Sequence, residues 1–244
     1  MRYLLIFMLL VGLFMFGSRI FKDSPFGFGI HGEGPFKTET RSVRDFHAIF
    51  LNVGGEVEVS VADNYFVEVQ AQENLLPVLK TEVEDGVLRI YFSENVSNHR
   101  GLKFRISAPA FDRFSISGSG KITATTPIRS EKMKAEVSGS GDIVLQEVEF
   151  DSTIASISGS GSIQLGGKSN VLKASIAGSG DIKAKQLTAN ELKVDIAGSG
   201  SVTCDVAQTL KANIAGSGDV FYSGQPTVDA NVSGSGSVKK MSEQ

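Results

Sequence analysis

One tripeptide recurs along the second half of this chain and limits what the chain can fold into. Gly-Ser-Gly begins at residues 118, 139, 159, 178, 198, 216 and 234, at intervals of 21, 20, 19, 20, 18 and 18 residues. Self-similarity at a near-constant period of this length is the mark of a repeat architecture, in which each copy buries its apolar face only by stacking on its neighbours. The residue pattern within a copy says which kind. In "LKVDIAGSGSVTCDV", apolar residues or glycine occupy Leu192, Val194, Ile196, Gly198, Gly200, Val202, Cys204 and Val206, and the residues between them are polar or small. Alternation of period two is that of a strand with one buried face.

Alignment of the copies gives columns of one residue type. One reads Ile116, Val137, Ile157, Ile176, Ile196, Ile214, Val232, and another Ile122, Ile143, Ile163, Ile182, Val202, Val220, Val238. A third is mostly alanine, from Ala135 through Ala155, Ala174 and Ala212 to Ala230. Such columns predict coils stacked by parallel ladders, about 34 Å for seven coils at ~4.8 Å each. The glycine pairs Gly118/Gly120, Gly139/Gly141, Gly159/Gly161, Gly178/Gly180, Gly198/Gly200, Gly216/Gly218 and Gly234/Gly236 then read as structural corners. The residue after each motif runs Lys121, Asp142, Ser162, Asp181, Ser201, Asp219, Ser237. Alternating Asp with Ser keeps like charges two coils apart.

Ahead of the repeats, which run over residues 111–238, residues 41–110 read as a more irregular β region that begins or covers the stack, with short alternating runs at Phe50–Val53, Val57–Val61, Phe66–Ala71, Val87–Phe92 and Leu102–Ile106. Turn pairs Asp63-Asn64 and Asp85-Gly86 separate some of them, and "ENLLPVLK" has room for one helical turn before Pro77. Residues 18–40 are rich in Gly and Pro without periodicity and read as a linker. The apolar run Tyr3–Gly17 follows one Arg and is about 22 Å long as a helix, short of a ~30 Å hydrocarbon core. It reads as a signal peptide, or as an uncleaved membrane anchor, and implies export. Residues 239–244 form a tail. Lys239 and Lys240 read as gatekeepers of an open solenoid end, the other reading being an end covered by a second copy.

Two halves of the chain together, "TRSVRDFHAIFLNVGGEVEVSV" and "LLPVLKTEVEDGVLRIYF" with the repeated "SGSGDI" and "AGSGDI", resemble the bacterial putative auto-transporter adhesin head domain, the GIN domain or DUF2807. The resemblance covers residues 41–238. It implies a single-stranded right-handed parallel β-helix, an all-β fold, in bacterial cell-envelope proteins such as those of Bacteroidetes. The expected function is therefore a non-catalytic adhesion or interaction module, with an envelope protein or a glycan as partner. A β-helix that binds or cleaves polysaccharide is the competing expectation.

Sites for other chemistry are weak. "GFGIHG", Gly27 to Gly32, matches a dinucleotide fingerprint, but "EGPFKTE" follows and offers no helix N-terminus to a pyrophosphate. In "GSGK", Ile122 stands where a phosphate loop needs Ser or Thr for magnesium. Asp142, Asp181 and Asp219 are too sparse for the six or more oxygens of a calcium site. The serine column from Ser119 to Ser235 reads as a solvated edge. The histidines His31, His47 and His99 lie outside the repeats, and Arg129 is the one arginine between Gly118 and Val238, so the acidic neighbours Glu147, Glu149 and Asp151 read as a solvated face. Neither a catalytic residue, a metal nor a cofactor is expected. Formal net charge is −3, which disfavours nucleic acid as a partner. Cys204 shares a column with Leu145, Leu165 and Ala184 and reads as core.

Overall fold

The computed structural model describes residues 29–241; the signal or anchor segment 1–17 and the first part of the 18–40 stretch lie outside them. The N-terminal elements are β1 (Ile30–His31), β2 (Phe36–Thr40), β3 (Ala48–Leu51), β4 (Glu56–Val61), β5 (Phe66–Gln72), β6 (Leu79–Glu84), β7 (Val87–Phe92), β8 (Val96–Asn98) and β9 (Lys103–Ala108). A single 3-10 turn, Glu73–Leu75, occupies the place expected for a helical turn. The repeats supply β10 (Arg113–Gly118), β11 (Lys121–Ala124), β12 (Ile128–Gly139), β13 (Asp142–Gly159), β14 (Ser162–Gly178), β15 (Asp181–Gly198), β16 (Ser201–Gly216), β17 (Asp219–Gly224), β18 (Thr227–Gly234) and β19 (Ser237–Lys240).

These later strands form a β-solenoid of about six turns. The seven motifs bound six complete turns, and the strands that carry them stack as seven levels. Every neighbouring pair in the stack is parallel, and the register is the one the columns imply. Ile157 pairs with Ile176, Ile176 with Ile196, Ile196 with Ile214, and Ile214 with Val232. Interval lengths vary because the ladder slips on the arc away from the motif, between Leu145 and Val148, Gln164 and Gly166, and Ala184 and Thr188. The flank leading into each Gly-Ser-Gly stays in phase, so inward and outward faces never exchange there.

The irregular N-terminal region both begins and covers the stack, which extends below Phe111. β3 lies parallel between β10 and β7, and β4 parallel between β11 and β9. Leu51 therefore sits under Ile116, and Ile90 under Leu51, extending the isoleucine column to nine levels. Nine levels at ~4.8 Å per step span roughly 38 Å. The link between β3 and β4, Asn52 to Gly55, matches Ser117 to Gly120 in register: "LNVGGEV" is a degenerate copy of "ISGSGKI".

Antiparallel strands close this N-terminal end. β6 pairs with β7, β5 with β9, and β2 with β5. The β6–β7 hairpin turns on Asp85 and Gly86, with φ of 50° and 74°, the pair of positive values that a two-residue turn of this twist requires. The 18–40 stretch is thus corrected as well, because its Phe36–Thr40 part is a strand in the sheet and not a free linker.

The interior differs along the axis. In the repeats it is filled by the isoleucine, valine and alanine columns, buried as far as Ile214 and Val220. The last level is open to solvent, with Val232 38% exposed. Nearer the N-terminus, Phe46, Phe104, Phe111 and Phe114 are fully buried, and Phe114 takes a level of the alanine column, beneath Ala135. The Phe111 and Phe114 rings lie 5.3 Å apart in a tilted contact.

Candidate binding face

Two residues in each copy decide the shape of the flank. Gly198, the first glycine of its motif, has φ of +133°, and the same residue in the other six copies lies between +111° and +131°. Such a backbone turns the chain out of the strand line, where an L side chain is strained. The reading of both glycines as corners is corrected at the second one. Gly120, Gly141, Gly161, Gly180, Gly200, Gly218 and Gly236 do not take positive φ, so the bend is not made there. What they lack is room. At Gly200 a Cβ would meet the Gly180 carbonyl oxygen at 2.3 Å and Ile176 Cγ2 at 2.8 Å. The obstacle recurs along the stack: Ile116 Cγ2 stands 2.7 Å from that point at Gly141, and Val137 Cγ1 2.5 Å from it at Gly161. Ile196 Cγ2 does the same at Gly218 at 2.6 Å, and Ile214 Cγ2 at Gly236 at 2.9 Å. The two glycines thus do different jobs, one bending the chain and the other letting it pass over the isoleucine column of the coil beneath. Successive corners are tied together, as Ser199 N–H donates to the Gly178 carbonyl at 2.8 Å and Ser201 N–H to that of Gly180 at 3.2 Å.

Just before this corner, the outward side chains of each strand line a trough of about 1020 Å³ that runs along the stack. Its floor has two columns. One, directly before the first glycine, is Ser117, Ser138, Ser158, Ala177, Ala197, Ala215, Ser233. The other, two residues earlier, starts at Arg89 and Phe50 and continues through Ser115, Glu136, Ser156, Ser175, Asp195, Asn213 and Asn231. Small side chains in the first column keep the trough open. Arg89 stacks on the Phe50 ring at 5.7 Å, closing one end with a cation over an aromatic face.

A further step outward lies a column that the repeat comparison passed over. Arg113 pairs with Lys134, Lys134 with Ile154, Ile154 with Lys173, Lys173 with Lys193, Lys193 with Lys211, and Lys211 with Asp229. The signal was present in the sequence as "KAEVSG", "KASIAG", "KVDIAG" and "KANIAG", a lysine five residues before the glycine in four copies. An outward position carries no packing constraint, so this column stands out only once the register of the strands is known.

The other sequence candidates fall as follows. Asp142, Asp181 and Asp219 lie in one outward column with Ser162, Ser201 and Ser237. The serines do more than separate charges: Ser201 Oγ donates to Asp181 and Ser237 Oγ to Asp219, both at 2.5 Å. Among the described residues no group of three or more His, Cys, Asp or Glu side chains is placed to hold a metal ion. His47 Nδ1 lies 2.9 Å from Asp112, His31 lies near Ser97, and His99 packs on Phe92, so the histidines keep separate neighbours. Burial lowers the His99 pKa. Arg129 pairs with Glu149 at 3.0 Å on an exposed patch. Gly27 lies outside the described residues, and β1, which holds His31 of "GFGIHG", is followed by a strand rather than a helix.

Cys204 is fully buried between Ala184 and Tyr222 in its column. Burial, with the Asp205 carboxylate adding to it, pushes the thiol up to about 12. The thiolate is the reactive form, so the folded protein should not react with Ellman's reagent at pH 8, and one thiol should appear on addition of guanidinium. Rapid reaction in the folded state would place Cys204 at the surface.

The comparisons with known proteins follow the same lines. The family model described as putative auto-transporter adhesin, head GIN domain, matches residues 45–226. A putative adhesin from Bacteroides fragilis is similar in fold, with 22% identity and a TM-score of 0.82 over 87% of this chain and 100% of that one. A putative lipid binding protein from Parabacteroides distasonis has 27% identity and a TM-score of 0.75, covering 87% of this chain and 99% of its own. A putative adhesin from Parabacteroides merdae has 25% identity and a TM-score of 0.73 over the same shares. No curated protein matches the sequence significantly.

Proposed function

The chain belongs to the putative auto-transporter adhesin head GIN domain family, and on that premise we propose that it is a non-catalytic adhesion or interaction module of the bacterial cell envelope, held outside the cytoplasm. The observation that carries this reading is the trough. It is long, shallow and repetitive, with a floor of Ser, Ala and Asn side chains at successive levels. A surface of that kind grips an extended partner at many weak points. Catalysis needs convergent acid, base or nucleophile groups within hydrogen-bond reach of one reacting atom. The trough's carboxylates, Glu136 and Asp195, stand three levels apart. Export rests on the apolar run Tyr3–Gly17, and the partner is an envelope protein or a glycan.

The test uses the purified full chain coated on beads and exposed to bacterial envelope preparations and to uronic-acid polymers. Beads should be retained, no unsaturated product should form, and Ala197→Trp, which fills the trough at an exposed position, should abolish retention. Turnover of a polymer would overturn the non-catalytic reading, and retention unchanged by Ala197→Trp would remove the trough from it. Protease shaving of intact cells decides the location: loss of the chain from shaved cells supports surface display.

A further inference from the structure

We propose that the trough takes a linear acidic polysaccharide, lying parallel to the solenoid axis with its carboxylates or sulfates against the lysine column. The inference rests on the adhesion reading above and names its ligand class.

Charge is the first argument. The whole chain carries a formal charge of −3, yet Arg113, Lys134, Lys173, Lys193 and Lys211 stand in one outward column beside the floor. Arg89 adds a sixth cation at the closed end, where it also meets Glu84 at 2.9 Å. Asp229, beside Lys211 at the last level of the column, and two carboxylates of the floor oppose them, and the two floor carboxylates are engaged. Glu136 takes Lys134 Nζ at 2.8 Å and the Ser115 hydroxyl at 3.2 Å, and Asp195 accepts from Asn213 Nδ2 at 2.9 Å. Lys193 is shared with Glu191 at 3.6 Å, whereas no carboxylate among the described residues lies within 4 Å of Lys173 or Lys211. Arg113 with Lys134, and Lys173 with Lys193 and Lys211, follow at ~4.8 Å steps on either side of Ile154, and the two groups concentrate positive potential on one flank of a protein that is otherwise acidic.

Period is the second argument. Each level repeats the same small set of groups, so the surface matches a ligand whose own groups recur along a line. Serine hydroxyls and asparagine amides at the two ends of the floor can exchange hydrogen bonds with sugar hydroxyls. Ala177, Ala197 and Ala215 in the middle give an apolar strip for the C–H face of the rings. An extended peptide fits less well, because a peptide gains most by adding a strand to a free edge. On this flank the backbone groups are already paired in the parallel ladders. Single-stranded nucleic acid needs aromatic faces for its bases, and Phe50 is the single aromatic residue of the trough.

The experiment measures binding of the full chain to polygalacturonate, dextran sulfate, uncharged dextran, poly-glutamate and single-stranded DNA. The expected result is binding to the two acidic polysaccharides, weakened by salt, with no binding to uncharged dextran. The triple change Lys173→Glu, Lys193→Glu and Lys211→Glu should weaken that binding about tenfold or more, since each removes one ion contact and adds a repulsive one. A control with the same charge change on another face, Lys183→Glu, Lys185→Glu and Lys239→Glu, should bind as the parent does. Circular dichroism and melting of both variants show that the fold is kept. Equal loss in the two triple variants, no binding to either acidic polysaccharide, or equal binding of poly-glutamate or DNA would each overturn the inference. The bead assay separates this from failure of the adhesion reading. Retention that persists in the lysine-reversal variant leaves adhesion standing and removes the acidic glycan, whereas absence of retention in the parent removes both.

Discussion

Gly198→Ala should lower the melting temperature strongly, and Gly118→Ala should lower it less. The two positions have the same place in their motifs and similar backbone, with φ of +133° and +111°. Strain of an L residue in that region costs about 1–3 kcal/mol, and both variants carry it. They differ in what the new methyl meets. At Gly198 it would meet the Gly178 carbonyl oxygen at 2.2 Å, whereas at Gly118 nothing lies within 4 Å. A backbone oxygen held in the ladder below cannot rotate away, so the two coils must separate locally. In a solenoid each coil is held by its neighbours, and a defect in the middle weakens two interfaces together. Thermal unfolding by circular dichroism checks this. A shift for Gly198→Ala no larger than that for Gly118→Ala would show that strain alone, and not the stacking of corners, explains the motif.

That comparison also explains how far the fold could be read from residues. Parity and period are properties of the sequence, so Ile176, Ile196 and Ile214 could be placed in one buried column, and Cys204 in the core, before any coordinates. The division of labour within a glycine pair was not legible, because a bend and a close approach both select glycine. Only the backbone angle at Gly198 and the isoleucine beneath Gly200 separate the two. Closure at the N-terminal end is not periodic. Leu51 and Ile90 extend the same column, but the excursion from Ser93 to Leu102 interrupts their level and the degenerate "LNVGGEV" lacks the first glycine. Val53 stands at that place, and with it the marker used to count copies disappears. Phe36–Thr40 was missed for a different reason. It is an exposed edge strand, held by its antiparallel pairing with β5 and carrying little apolar periodicity of its own. The binding face was half legible. Its small floor residues are visible in the sequence as the Ser or Ala ahead of every motif, but a trough is a relation between columns. It emerges only when Lys173, Lys193 and Lys211 are seen to stand beside Ala177, Ala197 and Ala215 on one outward face.

The same parity makes the second large effect a matter of one residue's displacement along the chain. Ile196→Asp should prevent folding of the solenoid, whereas Ala197→Asp should leave it folded. Ile196 is 3% exposed and lies between Ile176 and Ile214 in a column with no polar partner. A carboxylate there loses its hydration and gains no donor, and it replaces a side chain whose removal alone costs about 2–5 kcal/mol. Marginal stability of order 5–15 kcal/mol leaves little room for both losses. Ala197 is exposed, and its carboxylate would reach water over the trough floor. The folded Ala197→Asp variant therefore doubles as a probe, because a negative charge beside the lysine column should weaken acidic polysaccharide without altering the melting curve. The expected pattern is Ile196→Asp insoluble or without a cooperative transition, and Ala197→Asp melting within a few degrees of the parent. Comparable damage at both positions would mean that this flank is packed on both faces, and the inside-outside assignment on which the trough depends would fall with it.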